Sequence, residues 1–425
     1  MLLSNIFTLG RMFTKKETRA FLKRVNSMLE EDPAYSVRKV FAAVRILLQN
    51  DKAIVLDNGQ FYFNFTIPPI PSEAFITLLK ATPHPTHIFS QHARLEKTAP
   101  STMCFAVTDA CTYDCYYCSN DGKKKGQELT TAEWISLAAE VQDMNTPIIF
   151  FTGGEPLLRP DLEEIISSID ARSVTYILTT GYGLTEQRAA VLKKIGLYGI
   201  GVSLNSYDPE RDNEMRGVKD AFATAVKAIK IAVREDFCTS VIAVVPKEGV
   251  ERQELFKLFS FAQSLGVKEV ILKEPTRTGR LFTAGRDVFF DDAAKDRLVQ
   301  IQREANQRFS GMKVSSEVHV ADCTMLGCSA GIQHSYISAT GDLQPCDFVP
   351  LSFGNVREIP IRKLWVEMNT VLGKPKGKCL ADEVSCKMKE LGMDHFPVSK
   401  HDTCRICSEL PRYDYPRFYK TLQGE

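Results

Sequence analysis

The chain has 425 residues, of which 44% are hydrophobic and 25% are charged, as in soluble globular proteins. Its 53 basic and 52 acidic side chains nearly cancel, so the composition gives no sign of a nucleic-acid-binding surface. No segment approaches the ~20 apolar residues of a membrane span. Twelve cysteines and no recognisable secretory leader predict reduced thiols in the cytoplasm, which favours metal binding over disulfides.

Residues 1–100 are predicted to form an extension of helices and one hairpin. Helical patterns cover 15–29 and 35–48, and a turn around 57–59 predicts the hairpin. The apolar stretch 1–13 is expected to be a helix packed on the protein's own body. The alternative is an interfacial helix that lies on a membrane surface.

Residues 101–310 alternate between strand-like runs and helical patterns, and the first helix begins with the capping-box pair Thr130 and Glu133. The strand-like runs are 103–107, 147–151, 174–179, 199–204, 240–245 and 269–273. The helical patterns are 131–144, 161–169, 185–195, 221–235, 251–265 and 291–309. This order predicts an α/β fold, a parallel sheet curled into a partial (β/α)6 TIM barrel. The chemistry of such barrels lies at the C-terminal ends of the strands.

Three cysteines follow the first strand-like run with C-x3-C-x2-C spacing: Cys111, Cys115 and Cys118. Three thiolates can hold three irons of a cubane iron–sulfur cluster, which leaves the fourth iron with an open coordination position. A zinc site is the alternative, although zinc sites favour paired C-x2-C knuckles. The nearby lysines Lys123, Lys124 and Lys125 are interpreted as a solvated loop.

The cysteine loop, with aromatic Tyr117 before its third cysteine, resembles the signature of the radical S-adenosylmethionine (radical SAM) superfamily. The resemblance covers about residues 102–280. It implies a 4Fe-4S cluster whose open iron binds S-adenosylmethionine, and reductive cleavage of that cofactor to a 5′-deoxyadenosyl radical. It also implies a reducing partner such as flavodoxin or ferredoxin.

Further residues are candidates for cofactor binding because they match motifs of that family. Gly153, Gly154 and Glu155 resemble its GGEP turn, which holds the amino group of the methionine part. Ser203 and Asn205 end the fourth strand, where relatives contact the cofactor. Arg216 matches an arginine that can bind the cofactor carboxylate, although a surface salt bridge is the alternative. Thr179 and Gly181 are weaker candidates.

Residues 311–425 contain a second group of cysteines and resemble the C-terminal extension called SPASM or twitch, which holds auxiliary iron–sulfur clusters. Too few cysteines are present for two fully thiolate-bound cubanes, so one auxiliary 4Fe-4S cluster is expected. A structural zinc ion is the alternative, and Cys379 is a rival ligand. Cys104 and Cys238 lie in strand patterns and are expected to be buried. The expected ligands of the auxiliary cluster are Cys328, Cys346, Cys404 and Cys407.

The reaction expected from the resemblance is hydrogen abstraction from an unactivated carbon of the substrate. Residues 273–280 lie at the end of the last strand and resemble a stretch that borders the substrate in SPASM-type relatives. In it, Glu274 and Arg277 are the candidates for substrate binding or proton transfer, with capping of the barrel as the alternative. Asp109 and Asp347 are weaker candidates. The substrate is either a peptide or protein, or a small metabolite or lipid. A different class of function, a non-catalytic electron-transfer or redox-sensing iron–sulfur protein, remains as the alternative.

Overall fold

The structure is a computed structural model that describes residues 2–120 and 126–425, so the interpretation of the three lysines 123–125 lies outside the described residues. Two short 3₁₀ helices cover Pro156–Leu158 and Lys247–Gly249. The strands are β1 Ile54–Val55, β2 Phe61–Tyr62, β3 Thr102–Thr108, β4 Ile148–Gly153, β5 Val174–Thr179, β6 Gly199–Ser203, β7 Cys238–Val244, β8 Glu269–Lys273, β9 Lys313–Ser316, β10 His334–Ile337 and β11 Leu343–Gln344. The helices are α1 Leu2–Thr14, α2 Lys16–Glu30, α3 Val37–Leu47, α4 Glu73–Lys80, α5 Ile88–Ala93, α6 Thr131–Asp143, α7 Leu162–Ser167, α8 Glu186–Lys194, α9 Pro209–Arg216, α10 Ala221–Arg234, α11 Arg252–Ser264, α12 Arg280–Thr283, α13 Asp292–Arg308, α14 Glu317–Val320, α15 Ile361–Leu372, α16 Leu380–Glu390, α17 Lys400–Ser408 and α18 Arg417–Gln423.

One large sheet organises the chain, in the strand order β11-β10-β3-β4-β5-β6-β7-β8-β9. The six predicted strands are β3 to β8, and each pairs in parallel with the next. Helices α6 to α11 lie between these strands in the chain, as the alternation predicted. The predicted α/β fold with a partial barrel is therefore confirmed.

The C-terminal segment adds a parallel strand to each side of the six-stranded core. Strand β9 pairs with β8 and strand β10 pairs with β3, whereas β11 runs antiparallel to β10. Neither β9 nor β10 shows an apolar run, because both are four residues long and contain serine and a basic or imidazole side chain. Their strand conformation follows from pairing with the sheet edge, and local sequence gives little sign of it.

Apolar side chains cover both faces of the sheet. On the outer face, one large cluster joins alternate strand residues to the helices; in it the rings of Phe105 and Trp134 lie 5.0 Å apart. The predicted capping box of α6 is present, with the Thr130 hydroxyl accepting from the Glu133 amide at 3.3 Å. The helices thus cover the outer face of the sheet, and its concave inner face remains available to the N-terminal extension and to polar side chains.

The β1–β2 hairpin of the N-terminal extension packs against the inner face. Ile54, Leu56 and Tyr62 share an apolar cluster with the inward side chains of the sheet. The Tyr62 hydroxyl donates to the carboxylate of Glu269, which is the first residue of β8, at 2.5 Å. The hairpin therefore closes the end of the half-barrel where the parallel strands begin.

Buried charges join the extension to this lower end of the half-barrel. The Lys313 ammonium is fully buried and lies 2.8 Å from an Asp51 oxygen and 3.8 Å from a Glu269 oxygen. Burial raises the pKa of Glu269, and the nearby Lys313 charge opposes that shift. The three charges depend on one another because none of them is hydrated by bulk water.

Replacing Lys313 with methionine is expected to lower the free energy of unfolding by about 3–5 kcal/mol, since two buried carboxylates lose their counter-charge. The measurement is the midpoint of chemical denaturation. The matched control is Lys268→Met, which breaks a pair with Asp57, an aspartate whose side chain is 79% exposed. The control should cost no more than about 1 kcal/mol. Equal losses of unfolding free energy in the two variants would contradict a stabilising role for the buried Lys313 charge.

Helix α1 occupies the apolar stretch at the N-terminus, with Asn5 and Met12 buried against the rest of the protein. Among the described residues, no helix has both the length and the apolar character needed to cross a bilayer.

Candidate functional site

The three loop cysteines lie directly after β3, at the upper end of the half-barrel. Cys111 is exposed, and Cys115 and Cys118 are half-buried. Burial raises the pKa of the Cys115 thiol to about 11, and the other two loop thiols lie close enough to contribute to that shift. A thiol with this pKa stays protonated at neutral pH unless a bound metal displaces the proton.

Glycines from three different parts of the barrel hold this loop in place. A Cβ added to Gly154, after β4, would stand 2.2 Å from the Ala110 carbonyl oxygen. A Cβ on Gly279, after β8, would stand 2.2 Å from the Cys118 carbonyl oxygen, and one on Gly217, after α9, would stand 2.7 Å from that of Asp114. Because each glycine backbone touches the loop backbone, a larger residue at any of them would displace the cysteines.

Backbone hydrogen bonds fix the same loop. The Asp114 amide donates to the Arg216 carbonyl at 3.2 Å, and the Arg280 amide donates to the Cys118 carbonyl at 3.0 Å. The Arg280 guanidinium also donates to the Cys115 carbonyl at 3.2 Å and pairs with the Asp114 carboxylate. Gly279 and Arg280 therefore both contact the cysteine loop.

The spacing of the sulfur atoms bears on whether the cysteine loop holds an iron–sulfur cluster or a zinc ion. Zn–S bonds of about 2.3 Å bring the sulfur ligands of a single zinc ion within about 4 Å of one another. Within residues 2–120 and 126–425, the one group of three such ligand atoms that all lie within 4.8 Å of one another is Cys104, His334 and Asp347. The three loop sulfurs do not all meet that spacing, so they do not have the arrangement of a preformed zinc site.

The Gly153–Glu155 turn continues β4 beside the loop. The Glu155 side chain is fully buried, and its carboxylate accepts from the Thr179 hydroxyl at 2.6 Å and from the Thr180 amide at 2.7 Å. Burial raises the pKa of Glu155, and these hydrogen bonds oppose that shift. The Glu155 side chain therefore joins the ends of β4 and β5, and its carboxylate already has hydrogen-bond donors within the protein.

Asn205 and Tyr117 connect the loop to β6 and β7. The Asn205 side-chain amide donates to the Tyr117 hydroxyl at 2.7 Å, and its oxygen accepts from the Val244 amide at 2.9 Å. Ser203, the last residue of β6, is half-buried. Both polar atoms of the Asn205 side chain therefore form hydrogen bonds within the protein, and its amide nitrogen holds Tyr117 in place.

Arg216 is fully buried, so the alternative of a surface salt bridge is wrong for this residue. Its guanidinium pairs with Asp212 at 3.3 Å and donates to the Thr180 carbonyl at 3.0 Å, and it lies over the Tyr113 ring at 4.7 Å. Its Nε has no hydrogen-bond partner in the described residues. Arg216 places a positive charge beneath the cysteine loop.

The second cysteine group differs in one pairing from the expected ligand set. The thiols of Cys328 and Cys379 lie close enough to shift each other's pKa, and the Cys346 thiol is near enough to raise the pKa of Cys379 further. The backbone of Cys328 pairs with that of Lys376, three residues before Cys379. Cys379, named only as a rival ligand from the sequence, therefore lies beside Cys328.

Cys404 and Cys407 lie together on α17, where Cys404 is exposed and Cys407 is buried. Cys323 lies beside the segment that contains Cys379, since a Cβ added to Gly377 would stand 3.5 Å from the Cys323 Cβ. The chain between Lys376 and Cys379 thus contacts Cys323 and Cys328. Long-range folding decides this arrangement, and the spacing of the cysteines gives no local signal for it.

The two candidate catalytic residues lie beyond the end of β8. Burial raises the pKa of Glu274 to about 7, with a smaller contribution from the Asp382 charge and an opposing one from Lys295. The Arg277 guanidinium stacks on the Phe289 ring at 3.6 Å from its centroid. Glu274 therefore titrates near neutral pH, whereas Arg277 is held by an aromatic ring.

Lys273, Glu317 and His334 are polar residues of the inner face that were not candidates from the sequence, whereas Asp347 was a weaker one. Lys273 pairs with Glu317 at 2.7 Å, and His334 pairs with Asp347 at 3.3 Å. Burial alone would lower the pKa of His334, but the adjacent Cys104 thiol and Asp347 carboxylate raise it well above its usual value. Cys104, His334 and Asp347 therefore form one compact polar group on the inner face.

Tyr336 lies between the two cysteine groups on the inner face. Its pKa is raised well above the usual value, chiefly by burial and also by charges at Asp109, Asp347, Cys104 and Cys118. Cys104 and Cys238 are buried, as the sequence predicted. The inner face therefore carries a continuous set of polar groups from the loop cysteines towards Cys346.

Comparison with known proteins finds matches for the barrel and for the C-terminal extension. Residues 105–259 match the model of the radical SAM superfamily, and residues 328–408 match an iron–sulfur cluster-binding domain, SPASM. The chain is 28% identical over 308 residues to the AdoMet-dependent heme synthase of Methanosarcina barkeri, which covers 66% of this chain and 88% of that protein.

Solved structures share the fold. Streptococcus suis SuiB bound to S-adenosylmethionine aligns with a TM-score of 0.55 and 17% identity over 66% of this chain and 68% of SuiB. Native anSMEcpe with bound AdoMet aligns with a TM-score of 0.53 and 16% identity over 76% of this chain and 99% of that chain. The barrel, the cysteine loop and the two matched segments together show that this chain belongs to the radical SAM superfamily, as an enzyme with a SPASM-type iron–sulfur extension.

Proposed function

We propose that this radical SAM enzyme abstracts hydrogen from a small metabolite or lipid held on the inner face of the half-barrel. The observation that carries the proposal is the three-glycine contact with the cysteine loop, which presents Cys111, Cys115 and Cys118 at the open end of the barrel. These three residues are the proposed ligands of the 4Fe-4S cluster that binds S-adenosylmethionine. When bound and reduced, that cluster supplies the electron that cleaves the cofactor to a 5′-deoxyadenosyl radical.

The residues around the loop have two proposed roles. The backbones of Gly153 and Gly154, with Ser203, border the proposed cofactor site. Tyr117, Glu155, Asn205 and Arg216 act as positioning residues, because their side chains are bonded to the barrel and to the loop. The buried guanidinium of Arg216 also stabilises negative charge that develops on the loop thiolates.

The auxiliary 4Fe-4S cluster is proposed to bind Cys328, Cys346 and Cys379, with Cys323 as the fourth ligand. This set replaces Cys404 and Cys407, because the contacts of Cys328 and of segment 376–379 bring the other residues together. The proposed domains remain 1–100, 101–310 and 311–425, with strands β9 and β10 of the last one extending the barrel sheet. The proposed reducing partner is a flavodoxin or a ferredoxin.

The position of the N-terminal hairpin favours a small substrate over a peptide. The hairpin side chains Ile54, Leu56 and Tyr62 are used inside the barrel, so the extension does not present them for peptide recognition. Lys273, His334 and Asp347 supply charges on the inner face that suit an ionised group on the substrate. Nucleic acid is not proposed as a substrate, since the overall charge is near zero.

A deuterium-transfer experiment tests the proposal. The anaerobically reduced enzyme is mixed with S-adenosylmethionine and with deuterated candidate substrates, and 5′-deoxyadenosine is analysed by mass spectrometry. Deuterium arriving from a small metabolite or lipid supports the proposal. Deuterium transfer only from a peptide would show that the substrate is a peptide and contradict the proposed substrate class. A fully cluster-loaded enzyme that releases no 5′-deoxyadenosine would contradict the proposed cofactor site.

Glu274 gives a pH-dependent prediction. Its carboxyl has a pKa of about 7 in the folded protein against 4.5 in the unfolded chain, so the folded state binds more protons between these values. The free energy of unfolding should therefore fall as pH rises from about 5 to about 8, by about 2 kcal/mol. Glu274→Gln should remove that slope. Denaturation midpoints measured at several pH values check this, and an unchanged slope would contradict it.

A further inference from the structure

A groove of about 840 Å³ lies between the N-terminal extension and helices α13 and α18. Its walls are mainly apolar. Helices α1 and α3 supply most of the lining, and the last helix of the chain closes one side. The lining includes Leu9, Phe41, Arg45, Arg303 and Arg417.

Three exposed arginines, Arg45, Arg303 and Arg417, line the groove. Within the described parts of the chain, none of their guanidinium groups forms an ion pair, whereas Arg24 and Arg234 elsewhere on the surface do. Residues 1–50 carry nine basic and four acidic side chains, although the whole chain is nearly neutral. The groove and the helices around it therefore form a local positive surface.

An aromatic rim borders the groove. Phe13 and Phe41 are 50% and 52% exposed, and their rings lie 6.5 Å apart. Val37, one helical turn before Phe41, is also 50% exposed. In the described residues, these two phenylalanines are the only ones among the large exposed hydrophobic side chains. Exposed aromatic residues beside unpaired arginines are typical of surfaces that bind the membrane interface.

We propose that this face, formed by α1, α3 and the groove arginines, docks the enzyme on an anionic phospholipid bilayer. Phe13, Val37 and Phe41 enter the boundary between headgroups and acyl chains, where their apolar surface leaves water. The guanidinium groups bind lipid phosphates, for which their planar, bidentate geometry is well suited. Each basic side chain near the surface adds to the attraction.

The charge distribution argues against a second copy of the chain as the occupant. A symmetric dimer through this face would bring the same arginines of both copies together, and like charges in a buried contact are costly. An anionic bilayer presents the opposite charge and an apolar layer beneath it. Both features of the face are then used.

Sedimentation with lipid vesicles tests the proposal on the full-length, cluster-loaded protein. Vesicles of phosphatidylcholine with one quarter phosphatidylglycerol should bind the protein, and vesicles of phosphatidylcholine alone should bind it far less. Raising the salt concentration should weaken binding. Arg45→Gln/Arg303→Gln/Arg417→Gln should bind anionic vesicles roughly 100-fold more weakly, as three lost interfacial charges predict. Phe13→Ser/Phe41→Ser should also weaken binding.

Matched controls separate this effect from general charge or hydrophobicity. Lys80→Gln/Lys194→Gln/Lys230→Gln removes three exposed charges elsewhere, and Val366→Ser/Val371→Ser removes two exposed apolar side chains of α15. Both should bind like the unaltered protein, and all variants should keep the same iron content. Absent binding to anionic vesicles, equal losses in the controls, or a dimer that dissociates in the arginine variant would overturn the proposal.

Discussion

Replacing Cys115 with serine is expected to abolish release of 5′-deoxyadenosine from S-adenosylmethionine. Two thiolates remain in the loop, and a serine hydroxyl is not ionised at neutral pH, so the cubane cluster loses one of its three protein ligands. Iron should fall from about eight to about four atoms per chain, since the auxiliary cluster binds other residues. Anaerobic reconstitution followed by iron analysis and chromatography of the nucleoside products measures both.

The matched control for this variant is Cys386→Ser, because Cys386 is exposed and has no proposed ligand role. It should retain about eight irons and full cofactor cleavage. If the Cys115 variant kept its iron and its activity, the assignment of the loop as the cofactor-binding cluster would be wrong. If both variants lost iron equally, the loss would reflect general instability of the protein.

Replacing Cys379 with alanine is expected to remove the auxiliary cluster. The Cys328 and Cys379 thiols lie close enough to shift each other's pKa, so we place both in one ligand group, and an alanine leaves that group one ligand short. Iron should fall to about four atoms per chain, while the loop cluster and its signal with bound S-adenosylmethionine in electron paramagnetic resonance should persist. Turnover of the substrate should be lost, although uncoupled cofactor cleavage should continue.

Cys404→Ala is the discriminating control for the auxiliary cluster. The Cys404 side chain is exposed, lies one helical turn before Cys407 on α17 and is outside the proposed ligand set, so we expect no change in iron content. The opposite pattern, iron lost in Cys404→Ala and kept in Cys379→Ala, would support the ligand set expected from the sequence. The two variants therefore decide between the sets with one measurement.

The barrel could be predicted from the sequence because its strands are apolar runs with clear boundaries. The predicted runs 174–179 and 269–273 match β5 and β8, and the capping box at Thr130 marked the start of α6. Strands β9 and β10 could not be found in this way, because four-residue polar segments become strands only through pairing with an existing sheet edge.

The candidate site shows the same division between local and long-range information. The cysteine loop and the glycine turn are short motifs, so the sequence alone identifies them. The burial of Arg216 and the hydrogen bonds of Glu155 depend on strands far apart in the chain. Likewise, Cys379 meets Cys328 across about fifty residues, a contact that no spacing rule predicts.

The hairpin that closes the lower end of the half-barrel limits the shape of what can react. With Tyr62 bonded across that end, a long molecule cannot be threaded through the barrel, whatever its chemistry. We expect a small molecule, or one protruding group of a larger one, to approach from the upper end, where the loop cysteines lie. The substrate and the 5′-deoxyadenosine product are then expected to use the same opening, which makes product release a candidate for the slow step of turnover.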